Sequence, residues 1–207
     1  MSKQERKDSA REKLCALIAD VGVDNATKLS GIFLGLLKQN NITIDDPLKI
    51  LIGFTFMNWG IAYGVWSNLK NTNLRRDLMR NSQRALVLKV ARKIKEGERP
   101  EAIAFLAVQI DEAFQRFVRI FIERIKELDR QGYSPDTGAV MLIALEWIQE
   151  NMGLKDSDMD KIIPTFIEQS KDLLNEMISV AMQLIHADET RKKKGVLRRF
   201  LEGFSGK

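Results

Sequence analysis

The sequence predicts an all-α fold, a single multi-helix bundle of about seven helices. Three observations carry this. No segment alternates apolar and polar residues with a period of two, whereas spacings of three and four recur along nearly the whole chain. Residues about 101–130 hold a long stripe, with Ile110, Phe114, Phe117, Phe121, Ile125 and Leu128 stepping by four, three, four, four and three. Turn-forming residues at Gly22, Asn40–Asn41, Gly97, Gly132 and Gly153 cut the chain into helical lengths.

The first helix is expected over about 5–21, with Leu14, Leu17, Ile18 and Val21 on its apolar face and Gly22 ending it. Asp24 then caps a second helix carrying Ala26, Leu29, Ile32, Phe33, Leu36 and Leu37, which stops at Asn40–Asn41. Asp46 and Pro47 open a third, since proline suits the first helical turn. Asn73 caps the next, about 74–96, whose apolar face changes along its length: Leu74, Leu78 and Ala85 on one side, Leu86, Val90 and Ile94 on another.

Gly97 and Pro100 separate it from the helix of about 101–130, which Phe105, Val108, Val118 and Ile122 widen. A stripe so broad predicts the central helix of the bundle. Ser134 and Pro135 open a helix with Val140, Met141, Ala144, Leu145, Trp147 and Ile148, closed by Gly153. The last long helix, about 158–187, aligns Ile163, Phe166, Ile167, Leu174, Met177, Ile178, Ala181 and Ile185, with Pro164 in its first turns. Residues 1–190 are thus expected as one bundle domain and 191–207 as a short basic amphipathic C-terminal helix.

The uncharged run Ile50–Leu69 is long enough to cross a bilayer, and lysines flank it. Gly60 and Gly64 form a GxxxG with Gly53 on the same face, a spacing for close helix packing. Thr55, Asn58, Ser67 and Asn68 oppose spanning, because an unpaired amide in hydrocarbon costs a few kcal/mol. Trp59 is central rather than interfacial. A buried helix explains these residues better, and a single membrane span is the lesser alternative.

The single cysteine, Cys15, excludes an internal disulfide framework. The charged start MSKQERKDSAREK carries no secretory signal, so a cytoplasmic, membrane-peripheral setting is expected, and the glycosylation-type triplets at Asn25 and Asn41 have no meaning there. The net charge of +5 hides an asymmetry. Residues 70–99 hold ten Lys/Arg against three Asp/Glu, residues 134–190 three against eleven, and residues 191–207 seven against one. Either the acidic segment neutralises a basic one, or a basic surface meets an anionic partner.

Most chemistries lack their residues. Cys15 and the single histidine, His186, cannot build a zinc site, so no metal or cofactor is expected. No Glu-x-x-His pair suggests a di-iron bundle, and neither a nucleophilic triad nor a glycine-rich phosphate loop is present. Asp156, Asp158 and Asp160 imitate a calcium loop, but Lys161 replaces its glycine and Ile167 its bidentate acid; a helix start accounts for them. Residues 17–31 have the outline of a helix-turn-helix, yet Lys28 and Gly31 fall at buried positions of that motif, and an ordinary hairpin is expected. No enzyme is predicted.

Two basic surfaces remain. Arg76, Arg80 and Arg84 fall at i, i+4 and i+8, with Arg75, Lys89, Arg92, Lys93 and Lys95 extending the charge around the helix. They offer a track for anionic lipid or nucleic acid, because guanidinium forks match phosphate. The tail RKKKGVLRRFLEGFSGK sets Val196, Leu197, Phe200, Leu201 and Phe204 on one face beside Lys192, Lys193, Lys194, Arg198 and Arg199, with Gly195 as a hinge. That combination suits a membrane surface or a protein groove. The sequence therefore predicts an adaptor docking by its tail. A nucleic-acid accessory protein using residues 75–95 is the alternative, and a homo-oligomer is compatible with both.

Overall fold

The computed structural model describes the backbone of residues 3–67, 71–132 and 137–204, and the side chains of 15–66, 71–73, 75–132, 138–180 and 182. Among the described residues six helices, rather than the expected seven or so, follow one another: α1 (Lys3–Gln39), α2 (Pro47–Ser67), α3 (Thr72–Ile94), α4 (Pro100–Arg130), α5 (Thr137–Met152) and α6 (Asp156–Phe204). The fold is all-α, with no strand among the described residues.

Several boundaries follow from local chemistry. Asp46 Oδ1 accepts the Leu48 N–H at 3.1 Å, capping α2 ahead of Pro47. Asn41 adopts φ 56°, and the Ile42 N–H returns to the Leu37 carbonyl at 2.9 Å, closing α1. Gly97, Gly132 and Gly153 all carry positive φ after α3, α4 and α5, where a side chain would be strained. Asp156 and Asp158 lie in the first turn of α6, as carboxylates at the positive end of a helix dipole should. Ser134 and Pro135 fall outside the described residues.

Gly22 does not stop the first helix. α1 runs through it to Gln39, so the expected hairpin of residues 17–31 and the cap at Asp24 are replaced by one continuous helix. The physical reason is tertiary. Gly22 sits where α2 and α3 press on α1, and a Cβ there would lie 2.9 Å from Leu86 Cδ2 and 3.7 Å from Asn58 Cβ. Close approach, not chain reversal, is what this glycine serves. The backbone of residues 191–204 likewise continues α6; their side chains lie outside those described.

The centre of the bundle is α2 rather than the helix of about 101–130. α2 packs on all five other helices. From Gly53 to Ala62 every residue is buried. α4 instead buries one stripe, Ile110, Phe114, Phe117 and Phe121, and packs chiefly on α3. Phe105 and Val108, expected to widen that stripe, are 68% and 59% exposed.

Two aromatic groups fix α2 in place. Phe54 meets Phe33 of α1 and Phe166 of α6, with centroids 5.7 and 5.2 Å away. Phe56 packs on Phe114 and Phe117 of α4 and on Trp147 of α5, at 4.6, 5.3 and 5.2 Å. Such pairs contribute about 0.5–1.5 kcal/mol each beyond area burial. α2 is the one described helix long and apolar enough to cross a membrane, yet 61% of that window is buried in the bundle. Most of its polar groups have protein partners: Thr55 Oγ1 donates to the Leu51 carbonyl at 2.8 Å and Asn58 Nδ2 to the Gly22 carbonyl at 2.8 Å, whereas Asn58 Oδ1 and Trp66 Nε1 are buried with no hydrogen-bond partner among the described residues.

Candidate functional site

α3 is where sequence and structure meet in a candidate site. It packs on α1, α2 and α4, so it presents different cations to different surroundings. Lys89 Nζ lies 2.6 Å from Asp20 Oδ1, and Lys93 Nζ 3.6 Å from Asp24 Oδ1. Both acids belong to α1, and both pairs repeat at a four-residue interval, as two helices running side by side in the same direction require. The acidic segment 134–190, one of the two alternatives for this charge, lies on α5 and α6, neither of which packs extensively on α3. One of its acids, Glu146, instead lies 3.6 Å from Arg124 of α4.

The other half of α3 is arranged differently. Arg76, Arg80 and Arg84 are all exposed, each about 6 Å further along the axis than the last. One more step of four reaches Leu88, itself 38% exposed. Arg92 is exposed beyond it, Lys95 lies 4.0 Å from Glu98, and Arg75 is half-buried.

Two surface depressions border this line. The first, about 520 Å³, lies at the start of α3. Arg75, Arg76 and Arg80 line it with Thr72, Asn73, Met79 and Gln83, and Tyr63 of α2 forms its far wall; no carboxylate is among these residues. Several of them are held in position. Arg76 Nη2 donates to Asn73 Oδ1 at 3.1 Å. The Tyr63 ring stands 5.3 Å from Trp59 and 5.5 Å from Phe121. Trp59 Nε1 in turn donates to the Met79 carbonyl at 3.3 Å. Asn73, expected as a helix cap, lies inside α3, which begins at Thr72.

The second depression, about 430 Å³, is a furrow between α3 and α4 that shares Arg80 and Gln83 with the first. Arg84 flanks it, Val87, Leu88, Ala107 and Val108 give it an apolar floor, and Asp111 and Glu112 stand on its α4 side. Gln83 Nε2 bridges to Asp111 Oδ1 at 2.9 Å, joining the two helices there. The two depressions thus adjoin at Arg80 and Gln83; the first is lined by arginines, and the second combines an apolar floor with both arginine and carboxylate side chains.

The glycine positions divide as well. A Cβ on Gly53 would run into Ile148 Cγ1 and lie 3.2 Å from Trp147 Cε3; one on Gly60 would lie 2.9 Å from Val140 Cγ1 and 3.2 Å from Phe121 Cε2. Gly53 and Gly60 therefore permit the approach of α5, and Gly60 that of α4. At Gly64 the expected close packing is not found: a Cβ would meet no described atom within 4 Å.

The tail residues Lys192, Lys193, Lys194, Leu197, Arg198, Arg199, Phe200, Leu201 and Phe204 have side chains outside those described. Among the described residues, no three His, Cys, Asp or Glu side chains gather in a metal-binding group. Sequence reasoning found the arginine line but missed Tyr63, Thr72 and Gln83, which only the meeting of α2 and α3 brings to it. It also missed Asp20 and Asp24, whose signal was legible: their spacing matches that of Lys89 and Lys93. In comparisons with family models, characterised proteins and solved structures, the chain matches none.

Proposed function

We propose that this chain is a non-enzymatic helical adaptor that docks on an anionic membrane surface. The arginine line of α3 is one contact and the basic segment 191–207 the second. The sorting of charge along α3 carries this reading: Lys89 and Lys93 are engaged by α1, whereas Arg76, Arg80 and Arg84 stay exposed and lead to exposed Leu88, with Val108 across the furrow. Cations beside apolar side chains suit a surface with phosphate outside and hydrocarbon beneath. Each basic residue near such a surface contributes about 1 kcal/mol, and buried apolar area adds a part that salt does not screen. In the segment 191–207, Phe200, Leu201 and Phe204 stand beside Arg198, Arg199 and the lysines 192–194, the same pairing of charge with hydrocarbon.

Nucleic acid would use the same arginines. A duplex offers little to Leu88 and Val108, however, and α3 contains no aromatic residue to stack on exposed bases. The test is co-sedimentation of the whole chain with neutral phosphatidylcholine vesicles and with vesicles containing phosphatidylserine, beside titrations with duplex DNA and single-stranded RNA. Binding to the anionic vesicles alone supports the reading. Nucleic-acid binding that falls steeply with salt, without vesicle binding, replaces it with the nucleic-acid alternative.

A further inference from the structure

We infer that the cleft at the start of α3 is a discrete site for a phosphate monoester group, carried by a soluble ligand or by a lipid headgroup. This goes beyond docking on a charged surface, because it assigns one group to one place.

Three features converge on that ligand. Arg75, Arg76 and Arg80 bring guanidinium groups to one concavity, with no acid among its described lining residues. A phosphate monoester, close to doubly charged near neutral pH, answers them better than a carboxylate or a phosphodiester, and its three terminal oxygens accept guanidinium forks. Thr72 and Asn73 sit in the opening turn of α3, where backbone N–H groups and the positive end of the dipole favour an anion. The cleft also has a body as well as a charge. At about 520 Å³ it exceeds a lone phosphate, and Tyr63 and Met79 give the remaining volume an apolar wall. Tyr63 is braced by Trp59 and Phe121, and Arg76 is held by Asn73, so part of the site is ordered before a ligand arrives. The lysines on the far half of α3 have no such setting; Lys89 and Lys93 face Asp20 and Asp24.

The probes are inositol monophosphate, inorganic phosphate and uncharged inositol, titrated calorimetrically against the whole chain. Saturable binding is expected for inositol monophosphate, weaker binding for inorganic phosphate and none for inositol. Arg80→Gln should weaken the monophosphate by about tenfold or more, and Arg80→Lys, which keeps the charge but loses the fork, by an intermediate factor. Lys155→Gln, an exposed charge between α5 and α6, should leave it unchanged. Circular dichroism checks that each variant keeps its thermal midpoint.

The two sources separate on vesicles matched for charge. Preference for phosphatidylinositol monophosphate over phosphatidylserine, reversed by soluble inositol monophosphate, assigns a lipid headgroup. Saturable soluble binding without that preference assigns a free phosphate ester. No saturable binding overturns the inference. So does Arg80→Lys binding as tightly as the native chain, or Lys155→Gln losing as much as Arg80→Gln, since a diffuse field rather than a site would then be responsible.

Discussion

Asn58 Nδ2 donates to the carbonyl oxygen of Gly22 at 2.8 Å, a hydrogen bond between α2 and α1 in the buried interior of the bundle. The missing side chain at Gly22 serves the neighbouring α3 instead: a Cβ would lie 2.9 Å from Leu86 Cδ2 but at an ordinary 3.7 Å from Asn58 Cβ. Gly31 and Gly35 occupy the same helix, are exposed, and have open space where a Cβ would go. Gly31→Ala and Gly35→Ala should therefore each stabilise by about 0.5–1 kcal/mol through helix propensity. At Gly22→Ala overpacking against Leu86 opposes that gain, and Gly22→Val should cost about 1–3 kcal/mol. Urea denaturation midpoints of the four variants check the ordering.

The glycines of α2 give a second contrast of sign. Gly53→Ala and Gly60→Ala push against Ile148, Val140 and Phe121, and each should destabilise by about 1–3 kcal/mol. Gly64→Ala meets no atom within 4 Å and should instead be neutral or gain up to about 1 kcal/mol. Equal losses at Gly60 and Gly64 would contradict the packing of α5 on one face of α2.

Aromatic residues that look alike in sequence should differ sharply in effect. Phe56 is fully buried among Phe114, Phe117 and Trp147, so Phe56→Ala should cost about 3–5 kcal/mol. Phe105 is 68% exposed, and Phe105→Ala should stay within about 0.5 kcal/mol of the native chain. Thermal unfolding followed by circular dichroism distinguishes them.

The segment 191–207 is proposed as a docking element rather than a part of the core. Its deletion should greatly weaken anionic-vesicle binding and leave the thermal midpoint nearly unchanged. Phe200→Asp should act like the deletion, while Lys193→Ala, one charge among several, should lose about 1 kcal/mol of binding. A large loss of stability with vesicle binding intact would assign the segment to the core instead.

What the sequence made legible was local. The caps at Asp46 and Pro47, the stops at Asn41, Gly97 and Gly132, and the buried stripe Ile110, Phe114, Phe117 and Phe121 follow from spacing and turn chemistry alone. Where neighbours decide, spacing fails. Gly22 has the signature of a helix end and serves a helix crossing. Phe105 and Val108 continue the periodicity of α4, yet Ile103, Leu106 and Ala107 of the same turns take the core-facing side and leave them exposed, and a broad stripe alone could not reveal that α2 holds the centre. At the candidate site the arginine line was readable from its four-residue step. The cleft was not, because its wall comes from Tyr63 on another helix. Segment totals left neutralisation open, whereas Asp20 and Asp24 act through matched spacing along α1 and α3.

The division of α3 into an engaged half and an available half is tested most directly by vesicle binding of two charge-altered chains. One carries Arg76→Gln, Arg80→Gln and Arg84→Gln; the other carries Lys89→Gln and Lys93→Gln. Lys89 and Lys93 pair with α1 at the surface, so removing them should cost at most about 1 kcal/mol of stability per pair. Co-sedimentation with phosphatidylserine-containing vesicles at physiological ionic strength should then fall by about tenfold or more in the arginine variant, with its thermal midpoint unchanged. The lysine variant should bind as the native chain does. Equal losses in both variants, or native binding by the arginine variant, would contradict the account.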